Sequence, residues 1–221
     1  MRAVCRIYVN IIDIKCRPED TVISAETIFA LLLFALAASW TPGPNNAMLA
    51  AAGANYGVRR TLPHICGIVV GFSCMMFLTG LGLGAVFERL PRLTSVMQWA
   101  GAAALLWFAW RIATAAGGGA QGRGRPFSFV EAAGFQWINP KAWAICIGVV
   151  SQFASARSGF QTAATMSIVF ALAGTSSALG WASFGAGLQR LLSTQTRLRA
   201  FNIAMAALIA GFVVSMLSGA F

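Results

Sequence analysis

The sequence predicts an all-α integral membrane protein with six transmembrane helices. Of its 221 residues, 58% are hydrophobic and only 10% are charged, whereas a soluble domain of average composition has about 25% charged residues. The mean hydropathy is +0.73, and apolar runs of about 20 residues, the length that crosses a bilayer core, recur along the chain. The composition excludes an ordinary soluble globule. It also excludes a disordered chain, which needs high charge and few aromatic residues.

The apolar segments divide the chain into an N-terminal extension, residues 1–22, and a membrane domain, residues 23–221. The first span begins near Ser24, a residue type that caps helix N-termini. It is interrupted at residues 41–44, because each proline there removes a backbone donor and clashes with the preceding turn. The predicted spans are 24–57 (broken at 41–44), 62–87, 93–113, 128–153, 160–188 and 199–220.

The loop cations predict an orientation, since Arg and Lys concentrate in short cytoplasmic loops. The loops after the first, third and fifth spans carry eight arginines, against three in the other two loops. We therefore expect the first set to be cytoplasmic and both termini to lie outside, although the four cations of residues 1–22 argue the other way. The net charge of +10 is spread over loops rather than gathered on one face, so no nucleic-acid partner is expected.

The break in the first span is expected to form part of a binding site. It contains Pro42, Gly43 and Pro44, and Asn45 and Asn46 follow at once. In lipid, freed backbone groups need partners, so such a break is tolerated only inside protein or beside water. We expect Asn45 and Asn46 to cap a restarted helix. Its first N–H groups would carry a partial positive charge that suits a carboxylate.

A second break near the middle of the fourth span contains Gln136, Asn139, Pro140 and Lys141. A lysine at mid-membrane costs roughly 2.5–3.5 kcal/mol on insertion scales, so it normally faces a cavity or a partner. The alternative is a simple kink with Lys141 extended to the interface. The two breaks fall in the first helix of each three-span half. This pattern is typical of a transporter site between two inverted three-helix repeats.

Five short segments follow one another along the chain: TPGPNN at 41–46, GVRR at 57–60, WAGA at 99–102, NPK at 139–141 and SQF at 151–153. Together they resemble the LysE/RhtB family of amino-acid exporters, and most of all its cysteine/O-acetylserine branch. The resemblance covers residues 24–220. It implies a translocator that exports small amino acids across the bacterial inner membrane by antiport with protons. Two departures are the N-terminal extension and Ser151, where many members have proline.

The proton coupling that the resemblance implies needs a titratable group, and carboxylates commonly form proton relays in membranes. After residue 22 the acidic residues are Glu26, Glu88 and Glu131. We expect Glu131 to carry the proton, with Lys141 as the alternative, because a buried lysine changes its protonation state readily. His64, the single histidine, begins the second span and is expected at the cytoplasmic interface.

Two other functions remain open on the residues alone: an intramembrane enzyme, and a non-transporting assembly protein or channel. The enzyme is disfavoured, because a serine nucleophile needs a nearby general base and His64 stands at the end of a span. The five cysteines have no paired spacing, so neither a metal site nor a disulfide framework is expected. No cofactor is expected. The expected partners are a small amino acid, protons and the lipid bilayer.

Ladders of small residues in three spans predict close helix packing within the bundle, since such residues let backbones approach where lipid supplies no hydrophobic drive. A homodimer interface is the alternative. The residues of these ladders are Gly67, Gly71, Gly80 and Gly84 in the second span, Gly174, Ala178, Ala182 and Ala186 in the fifth, and Ala207, Gly211, Ser215 and Gly219 in the sixth.

Overall fold

The computed structural model describes residues 24–83, 91–115, 125–153 and 159–218, and all regular structure in those ranges is helical. The predicted extension, residues 1–22, lies outside the described residues. The all-α prediction is confirmed for the part of the chain that the structure describes. Its α-helices are α1 (Ala25–Trp40), α2 (Pro44–Tyr56), α3 (Val58–Leu78), α4 (Pro91–Ala113), α5 (Phe129–Gln136), α6 (Pro140–Phe153), α7 (Gly159–Gly187) and α8 (Gln195–Leu217).

The first predicted span consists of two helices, α1 and α2, which are bent by 59° relative to one another. Helix α1 ends at Trp40, and α2 begins at Pro44 with Gly43 as its N-cap. The prediction that Asn45 and Asn46 cap the restarted helix is therefore wrong. Proline is favoured at the first helical position, where its missing N–H would have had no intrahelical partner. The two asparagines lie inside the first turn, and their side chains are free for other contacts.

The fourth predicted span also consists of two helices, α5 and α6. Helix α5 begins with a reciprocal capping box, in which Ser128 and Glu131 each bond the other's backbone N–H. Helix α6 begins at Pro140. There, the side-chain oxygen of Asn139 accepts the backbone N–H of Lys141 at 3.1 Å. In both breaks a proline therefore starts the second helix and fixes where it begins.

A single glycine turns the chain between α2 and α3. Gly57 has a φ of 76°, in the left-handed region that glycine adopts without a steric penalty. Helix α3 starts at the next residue, Val58. Arg59 and Arg60 were predicted to lie in the loop between the first two spans, but they form the exposed first turn of α3.

Helices α2 and α7 are in backbone contact. Gly53 of α2 faces the backbone of Ala182, and Gly185 of α7 faces the backbone of Ala50. A Cβ atom at either glycine would overlap those backbone atoms. The absence of a side chain at the two glycines therefore lets the backbones of α2 and α7 touch around Gly53 and Gly185.

The predicted ladders have different outcomes in different helices. In α3, Gly67 lies against Phe129 and Gly71 against Ala133 of α5, at distances that leave no room for a Cβ atom. For this pair the packing prediction is confirmed. It is wrong for α8, because Ala207 and Gly211 are exposed and a Cβ atom at Gly211 would have no neighbour within 4 Å among the described residues. The buried face of α8 instead carries larger side chains, Leu198, Asn202, Ala206, Ile209, Val213 and Met216.

Three helical segments within the described ranges are long and apolar enough to cross a membrane: Val58–Leu83, α7 and α8. The bent α1–α2 pair is a fourth if it counts as one span. These segments pack around two clusters of buried apolar side chains. The protein is therefore a multi-pass helical membrane protein, and both broken spans lie against the α3–α7 core.

Candidate substrate-binding site

The two breaks meet at one cavity between α1, α2, α3, α6 and α7. The cavity has about 630 Å³ of space not filled by protein atoms, part of it continuous with the outside. Most of its wall is apolar, including Ile68, Val69, Phe72, Ile145 and Phe170.

Most of the predicted binding residues line this cavity. Those that do are Gly43, Pro44, Asn45, Asn46, Asn139 and Lys141. The other three lie beside it: Pro42 is exposed, Pro140 begins α6, and Gln136 is completely buried. The structure therefore brings residues almost 100 positions apart in the sequence to one site.

Lys141 connects the two breaks directly. Its Nζ atom donates a hydrogen bond to the backbone oxygen of Thr41 at 2.8 Å. Gly43 makes room for this side chain, since a Cβ there would lie 2.8 Å from Nζ. A half-buried ammonium group with one backbone carbonyl as its acceptor keeps donors for a ligand.

The carbonyl groups freed at the end of α1 have other donors as well. The side-chain amide of Asn46 donates to the backbone oxygens of Ser39 and Thr41, both at 3.0 Å. The hydroxyl of Ser177 on α7 donates to the Ser39 oxygen at 2.7 Å. Polar side chains thus satisfy the broken backbone, as a break at membrane depth requires.

The start of α2 adds positive potential to the same wall. The backbone N–H groups of Asn45 and Asn46 lie in the first turn and have no intrahelical acceptor. The partial positive charge of a helix N-terminus favours an anion there. Together with the ammonium group of Lys141, it gives this side of the cavity a positive potential.

A buried amide pair fixes the two broken spans to each other. Asn45 Nδ2 donates to Gln136 Oε1 at 2.8 Å, and Gln136 Nε2 donates back to Asn45 Oδ1 at 3.4 Å. Gln136 Nε2 also donates to the backbone oxygen of Ala132 at 2.9 Å. Gln136 therefore does not face the cavity. It contributes to the site indirectly, by orienting the side chain of Asn45.

Removing either member of this pair should destabilise the fold, and the two losses should not add. Asn45→Ala leaves the buried Gln136 Oε1 without its donor, and Gln136→Ala leaves the part-buried Asn45 amide without its partner. An unsatisfied buried polar group costs about 1–3 kcal/mol. In the double variant both side-chain amides are removed, so neither remains without a hydrogen-bond partner. The double variant should therefore lose less stability than the sum of the two single variants, with a coupling energy of about 0.5–3 kcal/mol in a thermal-unfolding cycle. Asn45→Ala combined with Asn202→Ala is the matched control and should be additive, because Asn202 pairs with Asn55, about 15 Å from Asn45 along α2. Additive losses for the Asn45–Gln136 pair would contradict the assignment.

Glu131 does not line the cavity. Its carboxylate accepts two hydrogen bonds from the Arg125 guanidinium, at 2.6 and 2.8 Å, and two from the backbone N–H and hydroxyl of Ser128. The hydrogen bonds to Glu131 raise the pKa of the exposed Arg125. These contacts anchor the start of α5, and proton transfer by Glu131 stays a prediction.

The prediction for His64 is wrong. The side chain is completely buried, and neither ring nitrogen has a hydrogen-bond partner among the described residues. Its ring packs edge-on against Phe127, with the centroids 5.1 Å apart. The position of His64 near the start of a span suggested that it lies at the membrane–water interface. Helix α5 and the segment before it, however, cover the face of α3 that carries His64.

Sequence reasoning missed several polar contacts of the site and its surroundings. Ser39 and Ser177 line the cavity. The hydroxyl residues at 175–177, three in succession within an apolar helix, were the available signal for Ser177. Further along α2, Asn55 Nδ2 donates to Asn202 Oδ1 of α8 at 2.7 Å, and no local pattern identified that pair.

No cluster of three or more potential metal-ligating side chains occurs in the ranges that the structure describes. Cys66, Cys74 and Cys146 are free thiols there, while Cys5 and Cys16 lie outside the described residues. The polar groups of the cavity are amides, hydroxyls, backbone groups and one ammonium. Such a set offers hydrogen-bond donors and acceptors together with one positive charge.

Comparison with known proteins identifies the family. The model of the LysE type translocator family matches residues 36–219. The cysteine/O-acetylserine efflux protein of Salmonella choleraesuis (strain SC-B67) is 32% identical over 164 residues, which are 73% of this chain and 83% of that protein. The protein of the same name in Klebsiella pneumoniae is 32% identical over 165 residues, 74% and 84% of the two chains.

The protein of that name in Escherichia coli (strain K12) is 29% identical over 183 residues, 81% of this chain and 92% of that one. No solved structure matches the chain. The resemblance inferred from the motifs, including the branch, is confirmed, and the enzyme alternative is excluded. The chain belongs to the LysE type translocator family, whose members are transporters rather than enzymes.

Proposed function

We propose that the protein exports a small zwitterionic amino acid or close derivative, of the cysteine and O-acetylserine class, across the bacterial inner membrane in antiport with protons. Family membership supports export, and the names and enterobacterial sources of the relatives support the substrate class and the membrane. One observation carries the proposal: Lys141 Nζ lies in the cavity, 2.8 Å from the Thr41 oxygen, where the two breaks meet.

In this proposal the substrate carboxylate binds between Lys141 and the start of α2. The ammonium group exchanges its bond to the Thr41 oxygen for one to the carboxylate. The free N–H groups of Asn45 and Asn46 provide further donors. The bond to the Thr41 oxygen is charge-assisted on the donor side only. A carboxylate adds the Coulomb attraction of an opposite charge in a site of low dielectric constant, so this exchange favours the bound state.

The substrate ammonium group binds the carbonyl oxygens at the end of α1. When Lys141 turns to the carboxylate, the Thr41 oxygen becomes available as an acceptor, and the Ser39 oxygen lies beside it. The substrate side chain then faces Phe72, Ile145 and Phe170. This apolar wall suits a short side chain and gives no counterion to a second charge.

We propose six spans arranged as two inverted halves, with α1–α2 and α5–α6 as equivalent broken helices. Two reciprocal contacts support this arrangement. Helix α1 packs on α7, where Ser177 donates to Ser39 and Gly180 touches Trp40. Helix α5 packs on α3 at Gly67. Each first half-helix thus rests on the middle helix of the other half, and the loop arginines support cytoplasmic placement of the α2–α3 turn.

For the coupled proton we propose Glu131 or Lys141. Lys141 is in the cavity, where the protonation state of Nζ decides whether the substrate carboxylate has a charged partner. Glu131 is outside it, at the predicted cytoplasmic end of α5. Glu131→Gln, measured for the pH dependence of export, distinguishes the two, because Lys141→Ala is expected to abolish export and leaves no pH dependence to measure. Loss of the pH dependence in Glu131→Gln would assign the proton to Glu131, and an unchanged pH dependence would exclude Glu131.

The experiment that tests the function is an efflux panel in cells that overproduce the protein. Cells are loaded with labelled cysteine, O-acetylserine, threonine, homoserine, leucine, lysine or arginine, and efflux is compared with that of vector controls. We expect the first two to leave fastest and lysine and arginine to show no acceleration, because the cavity wall offers no partner for a second cation. If no amino acid left faster than in controls, the proposed function would be wrong.

A further inference from the structure

Gly174 lies near the middle of α7 and lines the cavity. Phe170, one turn before it, and Ser177 and Ala178, one turn after it, line the cavity as well. Residues three or four positions apart share one face of a helix, so this face of α7 forms a wall of the cavity. The other three residues are buried, whereas Gly174 is partly exposed. The open part of the cavity therefore lies in front of Gly174.

The packing of the bundle does not explain a glycine at this place. Inside a helix glycine is less favourable than alanine, and two other glycines of α7 have a reason for this cost. A Cβ atom at Gly180 would overlap the ring of Trp40, and one at Gly185 would overlap the backbone of Ala50. A Cβ atom at Gly174 would have no neighbour within 4 Å among the described residues. Gly174 also lies in an unbroken helix without a positive φ, so it serves no turn.

The place of Gly174 relative to the proposed substrate follows from its neighbours on α7. The Ser177 hydroxyl donates to the Ser39 oxygen at 2.7 Å, and in the proposed function the substrate ammonium group binds beside that oxygen. Gly174 is three residues from Ser177, about 4.5 Å along the helix axis. On the other side of Gly174, the rings of Phe170 and Phe72 pack together with their centroids 5.5 Å apart. The space in front of Gly174 thus lies between the ammonium position and these two rings.

We infer that Gly174 determines which side chains the protein exports, because the substrate side chain lies directly against its backbone. The inference rests on the proposed function and assigns the residue that limits substrate size. The side chain of cysteine ends at the γ atom, whereas that of O-acetylserine continues with an acetyl group. The acetyl group needs space that the thiol does not, and the missing side chain at position 174 leaves that space free.

A single methyl group at position 174 should therefore separate the two substrates. One methylene more or less in an apolar pocket changes discrimination about 10- to 200-fold. In Gly174→Ala we expect kcat/KM for O-acetylserine to fall at least about tenfold relative to kcat/KM for cysteine. In Gly174→Val we expect exchange of both to be lost. The fold of Gly174→Ala should not suffer, since the methyl group meets no neighbour and alanine is favoured in a helix.

The test uses the full chain in proteoliposomes, with labelled reduced cysteine and labelled O-acetylserine as probes. Exchange of each probe is measured over a concentration series, and thermal unfolding is followed in detergent. Gly148→Ala is the matched control. Gly148 lies in α6, a Cβ atom there also has no neighbour within 4 Å among the described residues, and Gly148 is not part of the cavity wall. This variant should keep the wild-type ratio of the two kcat/KM values.

An unchanged ratio in Gly174→Ala would overturn the inference. An equal loss of both substrates would overturn it too, and a lowered melting temperature would then assign Gly174 to helix packing. Absence of exchange of both probes in the wild-type protein would instead count against the proposed function, and the inference would fall with it. The two failures are distinct, because the first appears only in the comparison of the variant with a wild-type protein that transports.

Discussion

Replacing Lys141 by alanine is expected to abolish export while leaving the fold intact. Of the described residues that line the cavity, only Lys141 carries a charge, and in our proposal it binds the substrate carboxylate. Truncating one partner of a buried, hydrogen-bonded charge pair costs about 2–5 kcal/mol. A loss of 2 kcal/mol already corresponds to about a 30-fold weaker interaction, so efflux of cysteine or O-acetylserine should fall to the vector background.

The fold should survive this change, because the Thr41 oxygen still accepts a hydrogen bond from Asn46. Thermal unfolding and size-exclusion profiles in detergent check that point. Lys141→Arg should also fail to export. The backbone of Gly43 lies close to Nζ, and the planar guanidinium group of arginine is larger than the ammonium group that fits there. Arg59→Ala, which removes an exposed cation from α3, is the control and should export normally. Export by Lys141→Ala at the wild-type rate would contradict the assignment.

The largest loss of stability is expected from Gly53→Ala and Gly185→Ala. At both positions the added methyl group would overlap the backbone of the neighbouring helix, at Ala182 and Ala50 respectively. A flexible side chain can move away from such a contact, but a helix backbone cannot without shifting the whole element. Overpacking typically costs about 1–3 kcal/mol, and we expect the upper end of that range or failure to fold.

Gly187→Ala is the matched control for these two variants. It lies on the same helix as Gly185, and a Cβ there has no neighbour within 4 Å. Alanine is favoured over glycine in a helix by about 0.5–1 kcal/mol, so this variant should be at least as stable as the wild type. Equal melting temperatures for Gly53→Ala and Gly187→Ala would show that α2 and α7 are not packed as described.

The two breaks could be predicted from the sequence because their causes are local. Two prolines around a glycine end a helix wherever they occur, and a lysine amid an apolar run needs a cavity. The correct start of α2 was also present in the sequence. Pro44 at the first helical position implies Gly43 as the N-cap. Asparagine is also a favoured N-cap residue, and this second preference led to the wrong prediction for Asn45 and Asn46.

The contacts between the breaks could not be predicted, since they depend on how helices are rotated against one another. Nothing near Lys141 indicates that its acceptor is the Thr41 oxygen, or that Asn45 pairs with Gln136. His64 was misplaced for a similar reason. Distance from the end of a span gives depth in the membrane but not which face of α3 is covered, and α5 covers the face that carries His64.

The central claim, that the substrate carboxylate binds Lys141 and the start of α2, is tested most directly by competition with matched analogues. Inhibition of labelled cysteine exchange in proteoliposomes is measured for cysteine, for cysteamine, which lacks the carboxylate, and for cysteine methyl ester, in which the carboxylate is neutral. We predict that both analogues compete at least about 30-fold less well than cysteine, the cost of leaving the ammonium group without its charged partner. Equal inhibition by cysteine and cysteamine would contradict the account.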